Sequence, residues 1–597
     1  MASSTNIGDV ATFDVKIGGS IIPDELRVLS VHVEKKVNGI PTAKIVILDG
    51  DASTGKFEAS SSGTFVPGQQ VTIEAGYDLK NVVIFQGIIT GQSIRVDDLI
   101  GPSLEVECRD QAVKMIVGRK CLTFSKQTDS DIISSIIGTY SGLSADVTST
   151  ATTWPEQVQY YVTDWDFVLE RAEMNGLIVT ALNNKVSVFK PDANTTSAFT
   201  VTYGDNLIGI NADLNAVTQL GSVKASTWDY KTQKVIVEEA SNSYAGPGNL
   251  SSKKLSEVIG LADYQVQTTA PLENTDLTNW SKAQLIKSEF SKIRGEVRFM
   301  GNNAVDPGKY MTLKGLGDRF NGDYLISGVV HDLSDGNWIT EVTVGLSPVW
   351  FIEEPDVIAP PASGILPGAR GLFNGTVKQM YEDPDTQFRI LVNVPMFDQN
   401  GAGIWARLAN FYSTSGAGAF FLPEVGDEVV LGFLNEDPRY PVILGSMYSG
   451  TSNKPYKGLE PNEKNTIKAI VSKSGISMQF DDENKVLTII TPDKNQFILS
   501  DKDKKITIQD DNQNSIVMSA SGIVIKSAKD VSIQAPGNVS ISGDQGINVK
   551  SSGGNVATSG INISETAQSE YSAAGNATAK INSGMEMTLK SAMIMIN

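Results

Sequence analysis

The chain has 597 residues, enough for several domains with cores of their own, and a formal net charge of −19. That acidity makes nucleic acid and anionic membrane poor partners. The two cysteines, Cys108 and Cys121, exclude a disulfide framework and fit assembly in a reducing cytoplasm, and nowhere does the sequence approach the ~18 consecutive apolar residues of a membrane-spanning helix.

The opening decapeptide MASSTNIGDV lacks both a charged and an apolar segment, which predicts no cleaved signal. Up to about residue 115, segments such as FDVKIGG, VLSVHVEKKV, AKIVIL, QQVTIEAGY and VVIFQGIITGQSI alternate between Gly and Pro punctuation, the mark of half-buried strands. Three helices are expected next. The first covers 130–137, capped by Asp129 or Ser130, with Ile132, Ile133, Ile136 and Ile137 as its apolar face and Gly138 as its stop. The second covers 164–175, with Thr163 as N-cap, Asp166 three residues on, and Gly176 beyond its end. The third covers about 280–294, with Ala283, Ile286, Phe290 and Ile293 on one side. Strands resume to about residue 346.

A weak internal repeat links Pro67-Gly68-Gln69-Gln70-Val71-Thr72-Ile73 with Pro307-Gly308-Lys309-Tyr310-Met311-Thr312-Leu313. Each is a Pro-Gly turn entering an apolar-Thr-apolar strand, and each is followed by Gly-punctuated strands. If the repeat is structural, the first 350 residues hold two related β-barrels with helices inserted between them. The expected partition is 1–120 for the first barrel, 121–200 for a helical or mixed insertion and 201–347 for the second barrel region. A Pro-rich linker at 348–369, carrying Pro348, Pro355, Pro360, Pro361 and Pro367, leads to five short strands within 370–450, a small barrel such as an OB-fold. A polar connector spans 451–474 and a strand-rich region spans 475–597.

That last region carries the most regular pattern. Its upstream pairs are Ile476/Met478, Leu487/Ile489, Ile506/Ile508 and Ile516/Met518. Then Ile523/Ile525, Val531/Ile533, Val539/Ile541 and Ile547/Val549 repeat every eight residues, with polar residues such as Ser532, Ser540 and Asn548 between members of a pair. After a step of fourteen residues the slots become Ile561, Ser569, Ala577, Met585 and Met593, with Ile563, Tyr571, Ala579, Met587 and Met595 two residues on. Period-two alternation buries one strand face, and one octad cannot bury its pair alone. Stacked octads can, either by one chain coiling or by three chains each supplying a face of a triangular prism. The narrow octads, free of loop insertions, favour three chains. At about 4.7 Å per rung and roughly a dozen rungs, the prism is on the order of 60 Å long. The change from Ile/Val to Ala/Met pairs predicts a needle that narrows toward Met585 and Met587. At the end, Met593 and Met595 lie in the inward register, whereas Ile594 and Ile596 face outward. With Asn597 they form an apolar edge expected to dock a cap.

Catalytic chemistry is not expected. The two histidines, His32 and His331, lie in no metal-ligand spacing, and no P-loop, G-x-S-x-G or H-E-x-x-H string occurs. Glu424, Asp427 and Glu428 read as a hairpin turn more readily than as paired hydrolase carboxylates. Asp481, Asp482, Asp510 and Asp511 read as solvated turns more readily than as a Ca²⁺ site. No cofactor or metal is assigned.

The segment FLPEVGDEVVLGFLNEDPRYPVILGSMYSG, Phe421 to Gly450, resembles the OB-fold of the VgrG family, the spike proteins of type VI secretion and related contractile injection systems. The matching residues are Pro423, Glu424, Gly426 and Asp427 in its turn, Asp437-Pro438, Pro441 and Gly445-Ser446 in its final hairpin, and GIWARL at 403–408 before it. YYVTDWDFVLERAEMNGL at 160–177 and FNGDYLISGVVHDL at 320–333 agree with the family's hub. The resemblance implies a mainly β chain. Two hub barrels and an OB-fold neck lead to an intertwined trimeric β-helix needle. It further implies a homotrimer that meets the inner tail tube and baseplate at its hub, a PAAR-like protein at its tip and, in some systems, effector cargo. Such a spike assembles in the cytoplasm and meets a target membrane only transiently. About 25 residues between OB-fold and needle leave no room for the lysozyme domain of certain phage hubs. The competing reading is a β-helical hydrolase or adhesin acting on cell-surface polysaccharide.

Overall fold

The computed structural model describes residues 10–98, 101–192, 196–354, 357–450, 453–459 and 461–596. Pro355, Asn597 and the first nine residues lie outside them. The chain divides into two units, Met1–Met447 and Tyr448–Asn597, and both are mainly β.

In the first unit, six strands per lobe form two lobes of identical order. The first lobe runs Val28–Lys36, Thr42–Leu48, Gly101–Arg109, Val82–Asp97, Gln70–Tyr77, Ala11–Ile17 across the sheet. The second runs Leu207–Leu214, Ile293–Met300, Asn337–Val344, Gly322–Ser334, Tyr310–Lys314, Phe199–Thr202. The expected internal repeat is therefore present in the hydrogen bonds themselves. The N–H of Gly68 donates to the Ile89 carbonyl and that of Ile89 to the Gln69 carbonyl, 2.8 and 2.9 Å. Gly308, Ile326 and Lys309 make the same two bonds at the same two distances. Both turns need φ near +90° (Gly68 +96°, Gly308 +87°), which only glycine adopts without strain. The lobes differ at the outer strand: Ala11–Ile17 pairs antiparallel, whereas Phe199–Thr202 pairs parallel. They also share one continuous sheet, because Gly322–Ser334 pairs antiparallel with Val28–Lys36. Each lobe keeps its own core. Val33, Ile45, Ile73, Phe85 and Leu104 fill the first, and Val297, Phe299, Met311, Leu313 and Val342 the second.

The insertion between the lobes packs two helices on a three-stranded sheet, with Ile132, Ile136, Trp165, Val168 and Val179 in its core. Helix Asp129–Gly138 has a full capping box in which Thr128, not Asp129 or Ser130, is the N-cap and Asp131 returns the bond. Gly138 belongs to the helix instead of ending it, and Asp129 is freed to hold Arg171 through two N–H···O bonds of 2.7 and 3.0 Å. Helix Asp164–Met174 has Thr163 as N-cap, its hydroxyl accepting from the Asp166 N–H, as its sequence implies. The third helix runs Asn274–Phe290, shifted toward the N-terminus from 280–294. Ile293, expected on its apolar face, instead opens strand Ile293–Met300. Lys292 explains the break: its buried ammonium donates to the carbonyls of Ala245, Pro247 and Leu250, which pulls the chain out of helical register. A further helix, Ser252–Ile259, is capped by Ser251 and ended by Gly260 in the left-handed region.

The Pro-rich segment 348–369 is tied down on both sides. The Phe351 N–H donates to Glu173 at 2.7 Å, and the Ala369 N–H donates to the Glu436 carbonyl at 2.7 Å. Five strands then close into a barrel in the order Phe373–Gln379, Ile390–Asn393, Ile404–Leu408, Pro441–Ser446, Glu428–Phe433. Val377, Ile390, Val392, Val429, Leu431 and Ile443 fill it.

The second unit is a seven-stranded antiparallel meander. It begins with Ile467–Val471, inside the segment expected to be a connector, and ends with Gly522–Lys526. The upstream pairs are therefore an intrachain sheet and not intertwined octads. From 527 to 596 no strand forms among the described residues, because the octads find no backbone partner within their own chain.

Candidate functional site

The chemistry that distinguishes this molecule lies on the second unit's surface. Its turns repeat one device. Asn484 donates from its backbone N–H and Nδ2 to the two carboxylate oxygens of Asp481, 3.0 and 2.8 Å. Asn514 does the same to Asp510, 2.8 and 2.7 Å. These bonds hold both carboxyls below the usual carboxylate range. Asp482 pairs with Lys468, and the Asp511 N–H donates to Asn495 Oδ1. The acidic residues are thus placed in separate turns, and among the described residues no group of His, Cys, Asp and Glu is assembled that could hold a metal ion.

Rigid turns fix the register, and the register builds a stripe. Directly opposite residues share a face. Phe480, Leu487, Leu499, Ile506, Met518 and Ile523 line up as successive cross-strand partners, and beside them run Met478, Ile489, Phe497, Ile508, Ile516 and Ile525. The opposite face is mixed: its central column runs Gln479, Thr488, Ile498, Thr507, Val517, Val524, with Lys505 and Lys526 at strand ends. One face of the sheet is therefore continuously apolar, and it opens toward the last strand: Leu487, Phe497 and Leu499 are half-buried, whereas Ile523 is 66% exposed. The octad slots Val531, Ile533, Val539, Ile541, Ile547 and Val549 are likewise exposed, Ile541 to 71%, as are Met585, Met587, Met593, Ile594, Met595 and Ile596. Burying one such side chain stabilises by about 1.5–3 kcal/mol, so rows of them left open mark a contact surface. A second apolar group sits on the OB barrel. The short hairpin Ser413–Thr414/Ala417–Gly418 is flanked by Phe411, Tyr412, Phe420 and Phe421, with Phe411 89% exposed. Sequence reading passed over it, although two aromatic pairs flanking STSGAGA are a visible signal.

The titratable candidates have structural surroundings. His331 is fully buried on strand Gly322–Ser334, its Nδ1 3.0 Å from the Thr340 hydroxyl, and burial holds it well below the ordinary histidine value. His32 pairs with Asp332 at 2.6 Å across the ladder joining the lobes, which raises its value. Asp427 accepts from the Glu424 N–H at 2.9 Å and shapes the turn, while Glu428 accepts from Asn374. Cys108 is buried, its thiol pushed up to about 12, and Cys121 is exposed. No helix among the described residues is long and apolar enough to cross a membrane.

Comparison with known proteins agrees with this geometry. Residues 7–335, more than half of the chain, match the family described as the Alg8 N-terminal domain. Residues 373–448 match the type VI secretion system/phage-baseplate injector OB domain, and 486–545 match the phage baseplate V C-terminal trimerisation domain. The type VI secretion system spike protein VgrG3 of Vibrio cholerae is 42% identical over 52 residues, 9% of this chain and 5% of that protein. The spike protein VgrG1a of Pseudomonas aeruginosa is 23% identical over 128 residues, 21% of this chain and 19% of that protein. The matched segments thus span less than a fifth of these relatives. Among solved structures, the prophage MuSo2 43 kDa tail protein from Shewanella oneidensis aligns over 57% of this chain and 98% of its own, with 11% identity and a TM-score of 0.44. With the Alg8 N-terminal domain matched over more than half of its length, followed in sequence order by a type VI secretion system/phage-baseplate injector OB domain and a phage baseplate V C-terminal trimerisation domain, this chain belongs to the Alg8 N-terminal domain family.

Proposed function

We propose that the chain is the non-enzymatic central spike of a contractile, phage-tail-like injection system and works as a homotrimer. The observation that carries this reading is the apolar stripe of the meander, continued from residue 527 by octads that form no strand among the described residues. Three copies would turn Ile523 to Val549 inward, bury them and complete every backbone ladder, giving a stiff prism that transmits thrust without chemistry of its own. The lobes would serve as a hub meeting the inner tail tube and baseplate. The smaller Ala and Met slots around Met585 and Met587 would taper the needle. Met593 to Ile596, with Asn597 outside the described residues, would present an apolar edge to a PAAR-like cap, and effector cargo would travel with the assembled particle. The spike would assemble in the cytoplasm, leave with the contracting particle and touch a target membrane only as it passes.

Native mass spectrometry of the full chain tests the reading. Three copies of the 64.0 kDa chain are expected, and a monomer at micromolar concentration overturns it. Deleting residues 593–597 should abolish cap binding while leaving the trimer intact, and undiminished cap binding would remove the tip assignment alone.

A further inference from the structure

Octads are nearly interchangeable, and that creates a problem which trimerisation alone does not solve. Val531/Ile533, Val539/Ile541 and Ile547/Val549 present the same shapes at the same spacing. If one chain slides by one octad, the inner slots still meet an Ile or Val and only the end of the run is mismatched, so the repeat itself penalises the wrong register weakly. Something outside the repeat must fix where the first octad begins.

The structure shows such an element at the point where intrachain pairing stops. Along one edge of the meander, two successive turns are each bonded to the turn after next. The Asn495 side-chain oxygen accepts from the Asp511 N–H at 3.3 Å. One step further, Asn514 Oδ1 accepts from the Ala528 N–H at 2.8 Å and from the Ser527 hydroxyl at 3.1 Å. Asn514 is itself held from behind by Asp510, through its own N–H and Nδ2. The Asp530 carbonyl, 3.0 Å from Ser527 Oγ, competes for the same hydroxyl proton, and Ser527 Oγ accepts from the Lys529 N–H at 3.2 Å, shaping the SAKD turn that leads straight into Val531. The asparagine ladder thus extends past the last strand, Gly522–Lys526, and grips the first turn that has no sheet around it.

We infer that Asn514 is the positioning residue that sets the register of the trimeric needle, by locking the exit of the meander so that Val531 of each copy starts at one height. This inference rests on the homotrimer of the proposed function. Its mechanism is geometric: three self-folded meanders, each with its exit fixed by Asn514, present their first octads together, and the remaining octads zip toward the tip from that start. The fourteen-residue step between Ile547 and Ile561 is the second place where a slipped chain meets a mismatch, because there the eight-residue spacing is broken.

The test places a spin label at Ser540, between the inward slots Val539 and Ile541, on the full chain with Cys108 and Cys121 replaced by serine, and measures interchain distances alongside native mass. An unslipped trimer gives one narrow distance. Asn514→Ala and Ala528→Pro remove opposite sides of the same hydrogen bond. Each is expected to remain trimeric while adding a second, longer set of distances, and Asn512→Ala, in the same turn but without contact to residue 528, is expected to keep the single distance. If both bond-breaking variants are trimers with the single narrow distance of the parent, the role of Asn514 is overturned although the trimer stands. If the parent itself is monomeric, the trimer fails and the register device fails with it.

Discussion

Trp338, on the last strand of the second lobe, stacks on Tyr77 of the first, with ring centroids 5.6 Å apart and planes inclined by 28°. The indole is buried among Leu333 and the apolar residues of the first lobe's core. Trp338 and Leu333 of the second lobe thus enter the core of the first, beside the shared strand ladder and the Lys35–Asp306 ion pair. Trp338→Ala should destabilise the hub by about 3–5 kcal/mol, the usual cost of emptying a buried aromatic site. Urea denaturation followed by near-UV circular dichroism measures this, and a loss below ~1 kcal/mol would mean that the strand ladder and the remaining contacts between the lobes hold them without the indole.

Gly68 and Gly308 occupy equivalent turns, yet their surroundings differ. A Cβ on Gly68 would meet nothing within 4 Å, whereas one on Gly308 would lie 2.5 Å from Phe189 Cζ. Gly68→Ala should therefore cost only the left-handed strain of about 1–2 kcal/mol. Gly308→Ala should cost that plus about 1–3 kcal/mol for displacing a packed ring. Equal melting temperatures for the two variants would contradict this ranking.

Acid should loosen the hub through His331. Burial depresses its folded-state value well below 6.5, so the unfolded chain takes up a proton first as pH falls. The stability contributed by neutral His331 is present above about 6.5 and is lost progressively below it. His32 runs the other way. Its value is raised by Asp332, so its smaller, half-exposed contribution is complete below 6.5 and fades as pH rises through the raised value. Chemical denaturation between pH 5 and about 7.5 should show net loss on acidification, and His331→Gln should flatten it. An unchanged slope in that variant would assign the pH dependence elsewhere.

Position within an octad should matter more than composition. Ile541→Asp places three carboxylates around the needle axis and should abolish the trimer or cut its thermal resistance sharply, since unpaired buried charge costs several kcal/mol. Ser540→Asp, one residue away and in the outward register, should be tolerated. Sedimentation velocity on both variants separates them, and equal behaviour would refute the inward assignment.

What the sequence disclosed follows the range of the forces involved. Helix Asp164–Met174 was legible because Thr163, Asp166 and Gly176 act within a turn of one another. Helix Ser252–Ile259 carries comparable signals in Ser251 and Gly260, but at barely two turns it is too short for its periodicity to stand out. The end of helix Asn274–Phe290 was not legible, since Lys292 stops it through carbonyls more than forty residues upstream. The Pro-Gly turns disclosed the repeat, but not that Val28–Lys36 would pair with a strand about 300 residues away and merge two lobes into one sheet. In the second unit, alternation gave the strands and their apolar face. Whether a strand pairs within its chain depends on turns such as Asp510–Asn514, whose side-chain bonds close an antiparallel hairpin. The octad turns after residue 530 close none, and so the boundary fell at Lys526 where alternation alone shows no break.

The central claim is that three copies bury the octad slots on a common axis. A cryo-electron microscopy reconstruction of the purified full chain tests it most directly. The account predicts threefold symmetry along the second unit, with Ile523, Val531, Val539 and Ile547 pointing at the axis and a narrower cross-section at Met585 than at Ile541. A monomeric second unit, or a trimer whose octad slots face solvent, would contradict it.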